Sequence, residues 1–141
     1  MSETVRDAMV PEPTTLAGDE SAQAAGTCLA SAEVRAIFVA DADGHLIGVV
    51  TRKTLVREVV AAGLDPTTVE LRLIAEPPVF TLDARLPLEE AFRMLEERDL
   101  ERVPVVEEGR LVGVLSRAGV QRRLAEDEPV ELDPDPGSVV L

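Results

Sequence analysis

Apolar and polar positions change rhythm sharply between Val103 and Arg117. Val103, Val105 and Val106 are apolar and β-branched, Glu107 to Arg110 is a polar turn containing Gly109, and Leu111 to Leu115 is a second apolar run. Two short apolar runs about a glycine-containing turn predict a β-hairpin. Beyond Ser116 the spacing becomes helical. The same pattern stands earlier in the chain, from Ile37 to Arg52. The fold must therefore be built on a duplication.

The repeat holds its register. A shift of 66 carries Arg6 to Arg72, Pro11 to Pro77, Thr15 to Thr81, Leu16 to Leu82, Ala25 to Ala91, Leu29 to Leu95 and Val39 to Val105. After the hairpin turn the shift is 65, carrying Gly44 to Gly109, Gly48 to Gly113 and Arg52 to Arg117. The lost residue falls in a turn, where a change of length is tolerated best.

Each repeat predicts helix, strand, helix, hairpin, helix. The first helix spans Ser2 to Met9, capped by Ser2, and its counterpart spans Val69 to Ala75, capped by Thr68. Prolines 11, 13, 77 and 78 end these turns. Short strands are expected around Thr14 to Leu16 and Val79 to Leu82. Leu88, Ala91, Phe92 and Leu95 fall at i, i+3, i+4 and i+7, a buried helical face opened by Pro87. The equivalent face in the first repeat is Ala22, Ala25, Gly26 and Leu29. Two readings of Gly26 stay open: a close approach of another element, or a helix held by tertiary contacts alone. After each hairpin, Thr51 and Ser116 are expected N-caps. Leu55, Val56, Val59 and Val60 are the expected apolar face of the helix that follows, with Gly63 as its stop. The divisions are residues 1–63, first repeat; 64–67, linker; 68–124, second repeat; and 125–141, an acidic, Pro-rich tail. A half of this size is marginal alone. The expected fold class is α/β: two three-stranded sheets with flanking helices, packed about a pseudo-twofold axis.

Composition narrows the function. The 141 residues carry 14 basic and 27 acidic side chains, a net charge of −13. Such a field repels phosphate backbones, so nucleic acid is not an expected partner. Without Trp or Tyr there are few stacking platforms for bases. No signal peptide or membrane span is expected, and a cytoplasmic setting is. Cys28 is the sole cysteine and His45 the sole histidine, so no disulfide or histidine cluster forms within the chain. Asp41, Asp43 and Gly44 lack the spacing and closing glutamate of a calcium loop and read as the hairpin turn. Cys28 reads as a small buried hydrophobe.

Ile37 to Arg52 and Val103 to Arg117 resemble the core of the CBS (cystathionine β-synthase) domain. The resemblance rests on Val103-Pro104-Val105-Val106, on Gly44 and Gly109, and on Gly48-Val49-Val50-Thr51 with Gly113-Val114-Leu115-Ser116. It covers Val5 to about Leu124. Two copies in this register resemble a stand-alone Bateman module. That resemblance implies a regulatory protein rather than an enzyme, a homodimer paired through helices, and two clefts for adenosine-containing ligands such as AMP, ATP or S-adenosylmethionine. It implies cleft linings at Thr14 and Thr15 or Phe80 and Thr81, and at Ala36, Ile37 and Phe38 or Arg102, Val103 and Pro104. Thr51 and Ser116 begin the family's ribose-binding segment.

The sequence departs from the family where an aspartate should follow: Thr54 and Gly119 stand there instead. A hydrogen bond to a charged group contributes roughly 1.5–3 kcal/mol, so its loss weakens ribose binding. Thr54→Asp and Gly119→Asp are therefore expected to restore affinity. Two readings of Arg52, Lys53 and Arg117, at the starts of predicted helices, stay open: a basic character suited to a small anion, or side chains that extend into water or pair with the chain's many carboxylates. The resulting expectation is a regulatory sensor of an adenosine-containing or other anionic ligand, acting on an unidentified protein. A ligand-free dimerisation scaffold is the alternative.

Overall fold

The computed structural model describes residues 3–11, 13–78 and 80–127. Ser2 as a cap, Val79 in a strand and the tail beyond Asp127 lie outside the described residues. In the first repeat, α1 is Val5–Ala8, β1 Val10–Pro11, β2 Thr15–Ala17, α2 Ala22–Leu29, β3 Ile37–Ala40 and β4 Leu46–Val50. α3, Arg52–Leu55, runs on into a π-helical turn at Val56–Val60. The second repeat gives α4 Leu71–Ile74, β5 Leu82–Asp83, α5 Leu88–Glu97, β6 Arg102–Glu107, β7 Arg110–Ser116 and α6 Arg117–Asp127.

Both expected hairpins form. β3 and β4 pair antiparallel from Ile37↔Val50, and β6 and β7 from Arg102↔Ser116. In the first turn the Asp41 carboxylate accepts the backbone N–H groups of Asp43 and His45, both at 2.9 Å. A side chain that bonds the backbone two residues on is the usual way an aspartate fixes such a turn. β2 lies parallel to β3, and β5 parallel to β6.

The sheets are not the expected pair of three-stranded ones. One has the order β1-β7-β6-β5 and the other β2-β3-β4. The fourth strand of the first sheet is β1, which comes from the other repeat and pairs Val10↔Val114. The same crossing occurs in reverse, as a single bridge between Glu76 and Val49. Its two hydrogen bonds, Val49 N–H to Glu76 O and Glu76 N–H to Val49 O, measure 2.8 and 2.9 Å.

The lead-in helices cross as well. Val5 is buried among Leu82, Leu88, Leu95, Val103, Val105, Leu115 and Val120, in the second repeat's core. Leu71 and Ile74 are buried among Ala22, Ala25, Leu29, Ile37, Val39, Val50 and Val59, in the first. Backbone bonds follow the same symmetry: Val5 N–H to Leu86 O and Leu71 N–H to Glu20 O are both 2.9 Å. Each repeat thus completes the other's core.

Caps and faces differ in detail from expectation. α1 is capped by Thr4, whose N–H is accepted by Asp7 in a reciprocal capping box. Thr68 does not cap α4, which starts at Leu71 behind Glu70. The Thr68 hydroxyl instead donates to Asp65 O in the preceding turn. Pro87 is the N-cap of α5 rather than its first helical residue, and Leu88, Ala91 and Leu95 are buried as the spacing requires. Thr51 does cap α3, accepting Thr54 N–H. Of the face Leu55, Val56, Val59 and Val60, Val59 alone is fully buried, while Val56 is 58% exposed and Val60 72%. The cause is the π-helical turn, closed by Ala61 N–H to Val56 O. An i→i+5 turn rotates the side chains away from the phase of a 3.6-residue helix. A Cβ on Gly26 would touch Leu55 Cδ1 at an ordinary 3.7 Å. Space therefore does not require the glycine, and the reading of α2 as a helix held by tertiary contacts fits.

Candidate functional site

The crossing strands enclose a cavity of about 620 Å³ between the repeats. Its walls repeat the sequence symmetry. Thr14, Val34, Ala36, Phe38, Val49 and Thr51 line it from the first repeat; their equivalents Phe80, Leu100, Arg102, Pro104, Val114 and Ser116 line it from the second. Pro13, Val103, Pro77 and Pro78 complete the apolar surface, and Glu33, Arg35, Glu76 and Arg102 supply charge.

Hairpin register places the polar groups. Arg102 lies directly across from Ser116. Ile37↔Val50 leaves Ala36 across from Thr51 in the same way. The Thr51 and Ser116 hydroxyls accept the N–H of Thr54 and of Gly119, at 3.3 and 3.0 Å, as caps do. Arg98 stands over the Phe80 ring, 4.4 Å from its centroid.

Of the residues singled out from sequence, Thr14, Ala36, Phe38, Thr51, Phe80, Arg102, Val103, Pro104 and Ser116 line the cavity, whereas Thr15, Ile37, Arg52, Lys53, Thr81 and Arg117 do not. The Thr15 hydroxyl donates to Pro13 O at 2.8 Å. Ile37 is fully buried in the first core. Arg52 donates to Leu29 O and Ser31 O, at 2.5 and 2.8 Å, closing the end of α2. Arg117 pairs with Glu101 and Asp99. The anion reading of these cations gives way to those structural roles for the two arginines.

Sequence reasoning missed Glu76. Its carboxylate accepts the Thr54 hydroxyl at 2.8 Å and pairs with Arg57 at 2.9 Å. The Thr54 hydroxyl, then Arg57, hold its carboxyl below the usual range. That contribution to stability is present above the ordinary carboxylate pKa and is lost as pH falls through the lowered one. The signal was available: the shift that maps Pro11 to Pro77 maps Val10 to Glu76, an acid where its repeat has an apolar strand residue.

Thr54 itself is fully buried, and its hydroxyl is the third member of a cluster with the Thr51 N–H, at 3.0 Å, and Glu76. This reverses the expectation for Thr54→Asp. A second carboxylate against Glu76 removes the donor and adds like-charge repulsion. T54D is expected to lower stability at pH 7 by about 1–3 kcal/mol and to regain part of it at pH 5, as the pair takes up a proton. Urea titrations at the two pH values measure this; equal midpoint losses at both would refute it. Gly119→Asp is no simpler, because a Cβ there would lie 2.8 Å from the capping Ser116 Oγ.

Elsewhere among the described residues, Asp41, Asp43 and His45 bring ligand-type atoms within 4.8 Å of one another, all exposed. Asp41 holds the turn there, as the sequence suggested. Cys28 is half-buried against the first core. No helix among the described residues is long and apolar enough to cross a membrane.

Two hairpin repeats, exchanged lead-in segments and a shared cavity define a tandem CBS-domain pair. The CBS-domain profile matches residues 5–61 and 71–126, and the chain belongs to the CBS-domain family. Hypoxic response protein 1 of Mycobacterium tuberculosis is 32% identical over 128 residues, 91% of this chain and 90% of that protein. The crystal structure of Hypoxic Response Protein I with two coordinated zinc ions aligns with a TM-score of 0.74 and 31% identity, over 86% of this chain and 98% of that one. The crystal structure of CBSX2 in complex with AMP gives 0.71 and 25%, over 89% and 98%.

Proposed function

We propose that the pair is a non-catalytic regulatory module of the cytoplasm that binds an adenosine nucleotide in the cavity between its repeats. The cavity carries the reading: about 620 Å³ of largely apolar space with hydroxyls at Thr51 and Ser116 and charges at its edge. Mostly apolar walls with a few placed polar groups are the usual form of a small-molecule site. The AMP complex of CBSX2 supports the choice of ligand. Thermal shift with AMP, ATP, S-adenosylmethionine and GMP tests it. A ligand at a hundred times its Kd adds about 2.7 kcal/mol, so an adenosine ligand is expected to raise Tm by several degrees. No shift with any of them would leave the scaffold reading in its place.

The module is further proposed to act as a homodimer and to convey its state to a regulated protein. Ala22, Ala25 and Leu29 of α2 are spent on the chain's own core, which favours another face for pairing. The exposed Val56, Val60 and Leu64 flank a shallow groove at Gly26 and Leu55 and form the apolar surface best suited to pairing. Val60→Asp is expected to shift light scattering from dimer to monomer at tens of micromolar while leaving Tm within a few degrees. A monomeric parent would remove the proposal.

A further inference from the structure

Resting on the nucleotide reading above, we infer that Glu76, delivered by the crossing segment after α4, is the group that accepts the ligand's sugar hydroxyls, and that it does so only in the half of the cavity containing Thr51. Glu76 lines the cavity together with Thr51, and its side chain is 49% exposed. Its backbone N–H and C=O are both bonded to Val49, so the acid projects from a fixed bridge. The Thr54 hydroxyl and Arg57 guanidinium occupy one acceptor site on each carboxylate oxygen. An ionised carboxylate offers about four such sites, so each oxygen keeps capacity for a ligand donor. A neighbouring hydroxyl and guanidinium also keep it ionised, the state that accepts hydrogen bonds most strongly.

Among the described residues, the other half of the cavity has no such group. Val10 occupies the place of Glu76, Gly119 that of Thr54, and the charge facing Ser116 is the Arg102 cation. A repeat that began as two equal copies has thus become unequal: one half suits a diol, the other an anion. One nucleoside per chain should bind through its hydroxyls.

Calorimetry of the full chain with AMP, 2′-deoxy-AMP and 3′-deoxy-AMP tests this. The parent is expected to bind one AMP per chain by its hydroxyls and to prefer it at least tenfold over each deoxy analogue. Glu76→Gln should weaken AMP about tenfold, weaken each deoxy analogue, which keeps one hydroxyl, by clearly less, and so reduce the preference. Arg57→Gln, which removes the ion pair but keeps the carboxylate, should retain it. If E76Q fails to fold, Glu76→Asp reads the same quantity, with a reduced preference expected. Equal weakening of all three ligands by E76Q, or an undiminished preference, would overturn the assignment and leave the nucleotide reading standing. A parent that binds none of the three overturns both.

Discussion

Gly48→Ala is expected to destabilise the protein by about 2–4 kcal/mol, from overpacking of about 1–3 kcal/mol together with weakened hydrogen bonds of about 1 kcal/mol each. A Cβ at position 48 would lie 2.7 Å from Glu76 O, 2.9 Å from Ala75 Cβ and 3.1 Å from Glu76 C. The obstructing atoms are backbone or are fixed to it, so no rotamer change relieves the clash. The segment carrying Glu76 must back away, and the paired bonds to Val49 lengthen with it. Gly113 holds the equivalent place beneath β1, where a Cβ would lie 2.8 Å from Val10 O and 2.6 Å from Met9 Sδ. Gly113→Ala should cost somewhat less, because the methionine can move. Urea midpoints measure both. Nucleotide affinity separates them, since G48A displaces the carboxylate and G113A does not. If G48A unfolds within a few tenths of a kcal/mol of the parent, the close crossing is not what the glycine serves.

Leu71→Ala should remove about 2–5 kcal/mol, the usual range for emptying a leucine site in a packed core, and the damage should appear in the first repeat. Leu71 belongs to the second repeat by sequence, yet it is fully buried against the first, beside Ile37, Val39 and Val50. Hydrogen exchange is therefore expected to accelerate in β3 and β4 at least as much as in α4. Val5→Ala should do the converse, loosening β6 and β7 through the cavity left among Val103, Val105 and Leu115. Acceleration confined to the mutated residue's own repeat would show that the exchanged helices do not bind the two cores into one cooperative unit.

Both predictions concern crossings between the repeats, and these were the features hardest to read in advance. The hairpins, the caps at Thr51 and Ser116 and the face of α5 were legible because each is a local pattern: period two, a hydroxyl three residues before an N–H, a spacing of three and four. Most of the residues expected at the cleft line the cavity, because they fall at the hairpin mouth or at the start of the parallel strand beside it. Arg52 and Arg117 left two readings open because a cation at a helix start looks the same whether it faces a ligand or, as here, the end of α2 and the acids of the loop before β6. Val56 and Val60 were misplaced because nothing in their spacing marks a π-helical turn.

The sequence by itself determined the duplication, the order of elements in each copy and the family, since a register kept over so many positions leaves little freedom. Tertiary structure alone decided which copy receives each lead-in helix and strand. Val5 and Leu71 would suit either core, being apolar residues of similar demand; the choice is made by where the crossing strands can approach, above Gly48 and Gly113. That same crossing carries Glu76 to Thr54 from 22 residues away in the chain, a contact between repeats that no local pattern marks.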